Sequence, residues 1–307
     1  LGKKYHVEHF TCSLCSTVFG SSDSYYEHQD NIYCRYHYST LYASQCEGCK
    51  TAILKQFVEV FRGGREQQWH PECFMINKFW NVMILPGHAS AYPPLEPTPA
   101  PASPPPRRDS DETENKLVRL PSPDVKLRDT IFRIEQDTEK KSFHIWAVLC
   151  GYEEATAACI SDMLQFATSC RYHDTLFSTA TFVAKIEVLL SAIDLLSAQV
   201  EPLVNQLIVY DTLTPEEQSQ ETEGFRNLME AVRKASFTQL RKEPRTLCKK
   251  VVSFMSLLSK SRERSMKEPG PTQELLDSVT GMAHYLKLLI RHGLSNSLRY
   301  DRAFPGT

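Results

Sequence analysis

The chain has 307 residues, 41% of them apolar and 23% charged, with a formal net charge of −2. That balance fits one or two domains with a real core, and it excludes a wholly disordered chain and a membrane-embedded one. No uninterrupted apolar run reaches the roughly 18 to 20 residues that span a bilayer, and the start lacks a charged-then-apolar leader, so an intracellular, cytoplasmic protein without a transmembrane segment is expected.

In chain order the first informative residues are His6, His9, Cys12 and Cys15, in the unbroken register His-x2-His-x2-Cys-x2-Cys. Eighteen residues then separate Cys15 from the pair Cys34 and His37. A two-residue gap lets two side chains of one tight turn reach the same ion, and the longer insert folds as a short hairpin that returns the second pair. Cys12, Cys15, Cys34 and His37 are therefore expected to hold one Zn2+ ion. Cys46, Cys49, His70 and Cys73 repeat the arrangement across twenty intervening residues and are expected to hold a second. His6 and His9 form only half a site, expected to stay empty. Cysteines at ligand spacing, with the rest isolated, suit a reducing compartment.

This pattern resembles the LIM family, whose units are two fused zinc fingers with an aromatic residue after the central ligand pair. Phe10 follows His9, and Phe74 follows Cys73 within Trp69-His70-Pro71-Glu72-Cys73-Phe74. Two departures stand out. A LIM unit has a further Cys pair upstream of the position of His6, but the sequence begins at Leu1, so the chain reads as a fragment or an incomplete gene product. Where the resemblance places the next ligand pair after Cys73, the chain has Ile76 and Phe79. The stretch from Tyr5 to Val82, with Ser24-Tyr25-Tyr26-Glu27, Thr51-Ala52-Ile53-Leu54-Lys55-Gln56-Phe57 and Cys73-Phe74-Met75-Ile76-Asn77-Lys78-Phe79-Trp80-Asn81-Val82, is similar to fungal LIM proteins of the Rga type, which are Rho GTPase-activating proteins. The similarity extends more loosely into Trp146 to Met163 and Leu247 to Lys260 and stops short of a GAP domain.

Between Pro86 and Pro123 lie eleven of the eighteen prolines, with almost no large apolar residue. Such a segment has too little apolar surface to order itself and reads as a semi-rigid spacer. Pro94-x-x-Pro97 and Pro101-x-x-Pro104, near Arg107 and Arg108, suit an SH3-type partner that reads polyproline II. Thr98-Pro99, Ser103-Pro104 and Ser122-Pro123 suit proline-directed kinases.

From about Lys126 the period changes to that of a helix. Ile145, Leu149, Tyr152, Thr156, Cys159, Met163 and Phe166 alternate steps of three and four, which places them on one helix face. A second stripe runs Phe182, Ile186, Leu189, Ile193, Leu196 and Val200, ending before Pro202. Further stripes are Leu247, Val251, Phe254 and Leu258, then Leu275, Val279, Met282, Leu286 and Leu289. Thr214-Pro215-Glu216-Glu217 offers an N-cap, an N1 proline and acidic residues at the positive end of the dipole. Arg291-His292-Gly293 has the form of a helix stop, and Pro244 is expected to break or kink the helix around Leu240. Cys150, Cys159, Cys170 and Cys248, with His144, His173 and His284, lack ligand-spaced partners and read as small apolar core residues.

The fold class expected is small zinc-finger LIM-type β-hairpin modules, a disordered Pro-rich linker and an all-α helical bundle. The divisions are 1–37 for a truncated first LIM unit, 46–82 for an incomplete second, 83–125 for the linker, 126–293 for the helical domain and 294–307 for a tail. Residues 221–307 hold sixteen Lys and Arg against nine Asp and Glu, a net +7, so residues 1–220 carry −9 of the total −2. The basic third suits a solvated bundle face, or contact with anionic lipid or an acidic partner.

No phosphate loop, Ser-His-Asp order or paired-carboxylate signature is present. The reading is a non-enzymatic, zinc-binding LIM adaptor or scaffold for protein partners, among them Rho-family GTPases or their regulators, in cytoskeletal or polarity control at the cytoskeleton or cell cortex. An alternative is a fragment of a Rho GTPase-activating protein whose GAP domain lies outside the chain, since no Gly-x-x-Arg-x-Ser-Gly setting for an arginine finger occurs here. A third, a GATA-like DNA-binding finger, meets a finger region that is not basic, so no nucleic-acid partner is expected.

Overall fold

The computed structural model describes residues 6–86, 125–235, 237, 240, 242–264 and 273–304. The Pro-rich tract, with both Pro-x-x-Pro motifs and the Ser/Thr-Pro sites, lies outside the described residues. Those described fall into two compact units, one within Leu1–Met75 and Met83–Phe143 and the other within Ile76–Val82 and His144–Thr307.

The first unit begins with two antiparallel hairpins. Strand β1 (Tyr25–His28) pairs with β2 (Asn31–Cys34), and β3 (Val58–Arg62) with β4 (Arg65–Trp69). Both turn through two residues of positive φ, Gln29 and Asp30 at 48° and 61°, Gly63 and Gly64 at 63° and 78°. That is the turn whose twist matches the flanking strands. A short helix α1 (Arg35–Leu41) leaves β2 directly, and α2 (Pro71–Trp80) begins one residue after β4 with proline at its first position, where no amide donor is needed.

The long helix α3 (Val125–Thr168) contributes its opening turns, up to Phe143, to this unit. Ile131, Ile134 and Glu135 are buried there. The Glu135 carboxylate accepts from Arg35 at 2.8 and 2.9 Å, and the Arg35 guanidinium lies 4.7 Å from the Phe132 ring centre. Leaving such a carboxylate without its partner costs about 3–5 kcal/mol. Periodicity alone pointed to Ile145 and beyond as the face of this helix. Its buried stripe begins at Ile131, and the charged Glu135 within it hid that from the apolar pattern.

The second unit is helical. It holds the rest of α3, then α4 (Tyr172–Thr212), α5 (Pro215–Gln220), α6 (Glu223–Ala235), α7 (Lys242–Arg264) and α8 (Gln273–Ala303). Its core is the expected stripes brought together: Met163, Phe182, Ile186, Leu247, Phe254, Leu275, Val279, Met282 and Leu289 are all buried. Helix α3 is stopped beyond Thr168 by Cys170, which takes the left-handed conformation at φ 55° while Arg171 N–H donates to the Phe166 carbonyl at 2.8 Å. This is a helix stop made without glycine. At α5 the expected cap forms as a reciprocal pair, Thr214 N–H donating to the Glu217 carboxylate at 2.8 Å and Glu217 N–H to the Thr214 hydroxyl at 3.4 Å. Pro244 lies in the first turn of α7, the place where a helix tolerates it.

Two expected helix ends are not ends. Helix α4 runs through Pro202 to Thr212. Residues 198 and 202 are both exposed, so the carbonyl that the proline leaves without its donor is open to water, and burial resumes beyond it at Tyr210. Helix α8 runs through Gly293 to Ala303, ending just before the residue that precedes Pro305. A side chain at 293 would bring a Cβ to 3.3 Å from Ile193 Cγ1. Glycine there permits close packing of α8 on α4 instead of a stop.

Helix α4 also contains an 18-residue stretch of mean hydropathy 1.6, long and apolar enough to cross a membrane by length and composition. The absence of an unbroken apolar run hid this. Thr175, Ser178, Thr179 and Ser197 are nonetheless buried along the helix, and α6, α7 and α8 all pack on it, as befits a member of the bundle. The isolated cysteines divide: Cys159 is in the core, Cys150 and Cys170 are half-buried, and Cys248 is exposed, contrary to a uniform core reading.

Candidate metal centres

Each zinc-ligand quartet is assembled from a knuckle, a hairpin and a helix. In the first knuckle Cys12 N–H donates to the Thr17 carbonyl at 3.0 Å and Ser16 N–H to the Cys12 carbonyl at 2.9 Å. In the second, Cys46 N–H donates to Thr51 at 2.9 Å and Lys50 N–H to Cys46 at 2.8 Å. Ser16 and Lys50 take matching left-handed conformations, φ 55° and 61°. This fold of six residues turns both thiols of a Cys-x2-Cys pair to one side. The knuckle is then zipped to its hairpin, Ser13 N–H donating to the Ile32 carbonyl and Glu47 N–H to the Gln68 carbonyl, both at 2.8 Å.

The hairpin delivers the other two donors. Cys34 ends β2, and His37 lies in the first turn of α1. His70 follows β4, and Cys73 lies in the first turn of α2. The order of thiol and imidazole is thus reversed between the modules while their places are kept. In the first quartet His37 Nδ1 lies 3.5 Å from Cys12 Sγ and 3.3 Å from Cys34 Sγ, and Cys15 Sγ lies 4.0 Å from Cys34 Sγ. In the second, His70 Nδ1 lies 3.3 Å from Cys49 Sγ. All four donor atoms of each quartet fall within 4.8 Å of one another.

Those separations fit a zinc tetrahedron. Bonds of about 2.3 Å to sulfur and 2.0 Å to nitrogen give edges of roughly 3.5 to 3.8 Å. Four protein donors leave no open coordination position for water or substrate, so zinc in either quartet serves structure rather than catalysis.

The electrostatics agree. In the first quartet the Cys34 thiol beside it holds Cys12 down, to about 2, against the opposing effect of burial. Cys34 is pushed up, first by that shared bond with Cys12 and then by burial. In the second, hydrogen bonds from Cys49 and then Cys73 hold Cys46 far below the thiol range, while Cys73 is pushed up by Cys46 and Cys49. Burial alone would depress His70, but its bonds to Cys46 and Cys49 outweigh that and raise it to about 10. Each cluster thus favours one thiolate surrounded by shared protons, which is what a divalent ion displaces.

A second tier of residues was not picked out from the sequence. The Thr17 hydroxyl lies 3.0 Å from Cys15 Sγ and the Thr51 hydroxyl 3.1 Å from Cys49 Sγ. His70 N–H donates to Cys46 Sγ at 3.2 Å. Such partners fix a thiolate's orientation and charge. Their signal was present in the chain as Cys-x2-Cys-x-Thr, which occurs twice. Gly48 is a third case: a Cβ there would come within 2.9 Å of the Trp69 ring and 3.0 Å of Cys73 Cβ.

His6 precedes a single 3-10 turn, Val7–His9, that His9 closes, and their ring centres lie 5.9 Å apart. Both are exposed and neither belongs to a quartet. Phe10 behind them packs on Phe19 and Tyr25, with ring centres 5.2 and 5.0 Å away. Ile76 and Phe79, where a further ligand pair was considered, are packing residues. Ile76 is fully buried, and the Phe79 and Trp80 rings lie 5.9 and 6.0 Å from Trp146.

Residues 1–42 match the LIM domain family. The chain carries a LIM domain. The second quartet, with the same knuckle and hairpin, is a second LIM-type zinc module. Over 303 residues, 98% of its length, the chain is 37% identical to Rho-type GTPase-activating protein 1 of Schizosaccharomyces pombe, of which it covers 21%. Over 305 residues, again 98%, it is 28% identical to Rho-GTPase-activating protein LRG1 of Saccharomyces cerevisiae, of which it covers 26%. The chain thus spans about a quarter or less of the length of these relatives. No solved structure matches it. The similarity continues past the LIM modules, through the tract after Pro86 and the helical unit.

Proposed function

We propose that this chain is a zinc-folded interaction region in Rho-type GTPase signalling, presenting LIM modules and a helical unit to protein partners without catalysing a reaction itself. What carries the reading is the pairing of two closed zinc quartets with similarity along nearly the whole chain to two Rho GTPase-activating proteins. Structural zinc leaves the module surfaces, not the metal, as the functional parts. A GTPase activator works by placing an arginine against the transferring phosphoryl group. Two arginines held by carboxylates serve other ends: Arg35 is bound to Glu135, and Arg233 to Asp211 and Glu230. The chain acts in the cytoplasm, at the cytoskeleton or cell cortex, and an SH3-type domain reads Pro94-x-x-Pro97 or Pro101-x-x-Pro104.

The test is a GTP hydrolysis assay with Rho- and Cdc42-class proteins, run beside a binding measurement on the same zinc-loaded chain. Binding to one of these GTPases or to a regulator of theirs, without faster hydrolysis, is the expected result. Acceleration of about a hundredfold or more, within the range of roughly 10³ to 10⁵ that an arginine finger supplies, would sink the non-catalytic reading.

A further inference from the structure

The helical unit contains a cavity of about 610 Å³ between α4 and the start of α7, within the range of roughly 300 to 1,000 Å³ typical of small-molecule sites. Val200 and Val204 of α4 form an apolar wall, and Lys242, Arg245 and Lys249 of α7 line the opposite side. The spacing of these three cations, at positions i, i+3 and i+7, puts them on one face of the helix. They outnumber the one carboxylate in the lining, Glu201, three to one.

Some cations elsewhere in this basic region have partners. Arg233 pairs with Asp211 and Glu230, Lys234 with Glu230, and Lys250 lies 5.7 Å from the Tyr285 ring centre. Lys242, Arg245 and Lys249 are exposed and make no ion pair among the described residues. Because α7 starts at Lys242, its positive dipole end lies at the same edge of the cavity. A further observation is independent of charge. Ser197, in the α4 wall, is only 8% exposed, and its hydroxyl is buried without a hydrogen-bond partner. Buried hydroxyls are rarely left so, and one that lines a cavity is satisfied by whatever fills it.

We infer that this cavity binds a phosphate ester, its phosphate among Lys242, Arg245 and Lys249, its organic part on Val200 and Val204, and the Ser197 hydroxyl bonded to the ligand. Three cations along the first two turns of a helix, without an ion pair among the described residues, suit a multiply charged anion better than a single carboxylate. The apolar wall requires more than an inorganic ion. A phosphorylated lipid headgroup and a free polyol phosphate share this chemistry. The inference stands apart from the GTPase reading, since it concerns a different surface and a different class of ligand.

The experiment is calorimetric titration of the zinc-loaded chain with inositol hexakisphosphate and with a short-chain phosphatidylinositol bisphosphate. Flotation with phosphatidylcholine vesicles, with and without that lipid, runs alongside. Saturable binding of at least one ester is expected. Arg245→Gln combined with Lys249→Gln should weaken it about tenfold or more, the loss of two charge-assisted contacts. Ser197→Ala should weaken it several-fold, while Lys260→Gln with Arg262→Gln, on the same helix but outside the cavity, should leave it unchanged. Binding of the short-chain lipid and its vesicles alone assigns the site to a membrane lipid, and binding of the free polyphosphate assigns it to a soluble ester. Either upholds the inference. No binding of either ester, an equal loss in the Lys260 and Arg262 control, an unchanged affinity in Ser197→Ala, or capture of an acidic peptide in place of both esters would overturn it.

Discussion

In the first zinc module the helix that carries the last ligand, α1, stops after seven residues, whereas in the second the equivalent helix, α2, runs for ten and buries Ile76 and Trp80. Up to that point the modules are built alike, from the left-handed residue in the knuckle to the threonine beside the second thiol. They part where the LIM resemblance would place another pair of metal ligands. The second module has Ile76 and Phe79 there, and the helix end is held by packed aromatic rings, tilted against one another, with the Lys287 ammonium 5.6 Å from the Phe79 ring centre. Metal ligation and apolar burial are thus two ways to anchor a segment too small to hold itself. A zinc site supplies a large, local and all-or-none contribution. Buried side chains supply smaller increments that depend on their neighbours.

The largest effects should come from the ligands. Structural zinc contributes on the order of 10 kcal/mol to a small module, so Cys34→Ala should unfold the first module and Cys46→Ala the second. Elemental analysis should show one zinc in either variant against two in the parent. Loss of both ions from one substitution would show that the modules fold as a single unit. A strong chelator should remove both ions yet leave the far-ultraviolet helical signal largely intact, because α4 and α6 to α8 contain no quartet among the described residues.

The next tier tests what replaced the metal. Ile76→Ala leaves a cavity at a fully buried position and should destabilise the helical unit by about 2–5 kcal/mol, with both zinc ions retained. Thermal melting followed by helical signal, with zinc counted in parallel, separates the two effects. A variant that melts normally but loses zinc would reverse the assignment of Ile76 from packing residue to metal-site support.

The smallest expected effect sharpens the likeness of the modules. Thr17→Val and Thr51→Val remove a hydroxyl beside a thiolate while keeping side-chain shape. Each should lower zinc affinity in its own module by about 10- to 100-fold, measured by competition with a chromophoric chelator. A loss in only one of the two would show that the shared geometry is not a shared function.

Much of this molecule was legible in the chain because tetrahedral ligation imposes spacing. Two donors from one turn must lie three positions apart, so Cys12 with Cys15, Cys46 with Cys49, Cys34 with His37 and His70 with Cys73 could be grouped before any coordinates. The hairpins followed, since a chain that leaves a knuckle and must return to it has few short routes. Helical stripes such as Leu275, Val279, Met282, Leu286 and Leu289 were legible for the same reason: a repeating geometry leaves a repeating pattern.

Single residues with two meanings were not legible. Pro202 and Gly293 are helix breakers by local preference, and only the packing of α4 against its neighbours, and the closeness of Gly293 to Ile193, gave them places inside helices. Glu135 reads as a solvated charge until Arg35, a hundred residues earlier, meets it. Ser197 and Lys242 lie far apart in the chain, and the cavity they line exists only once α4 and α7 pack. By itself the sequence determined which side chains group as metal ligands and where the main helical stripes lie, because those follow from short-range periodicity and ligand spacing. The tertiary structure decided where helices end, which charges are buried and where a ligand fits, because those depend on residues that the chain brings together only by folding.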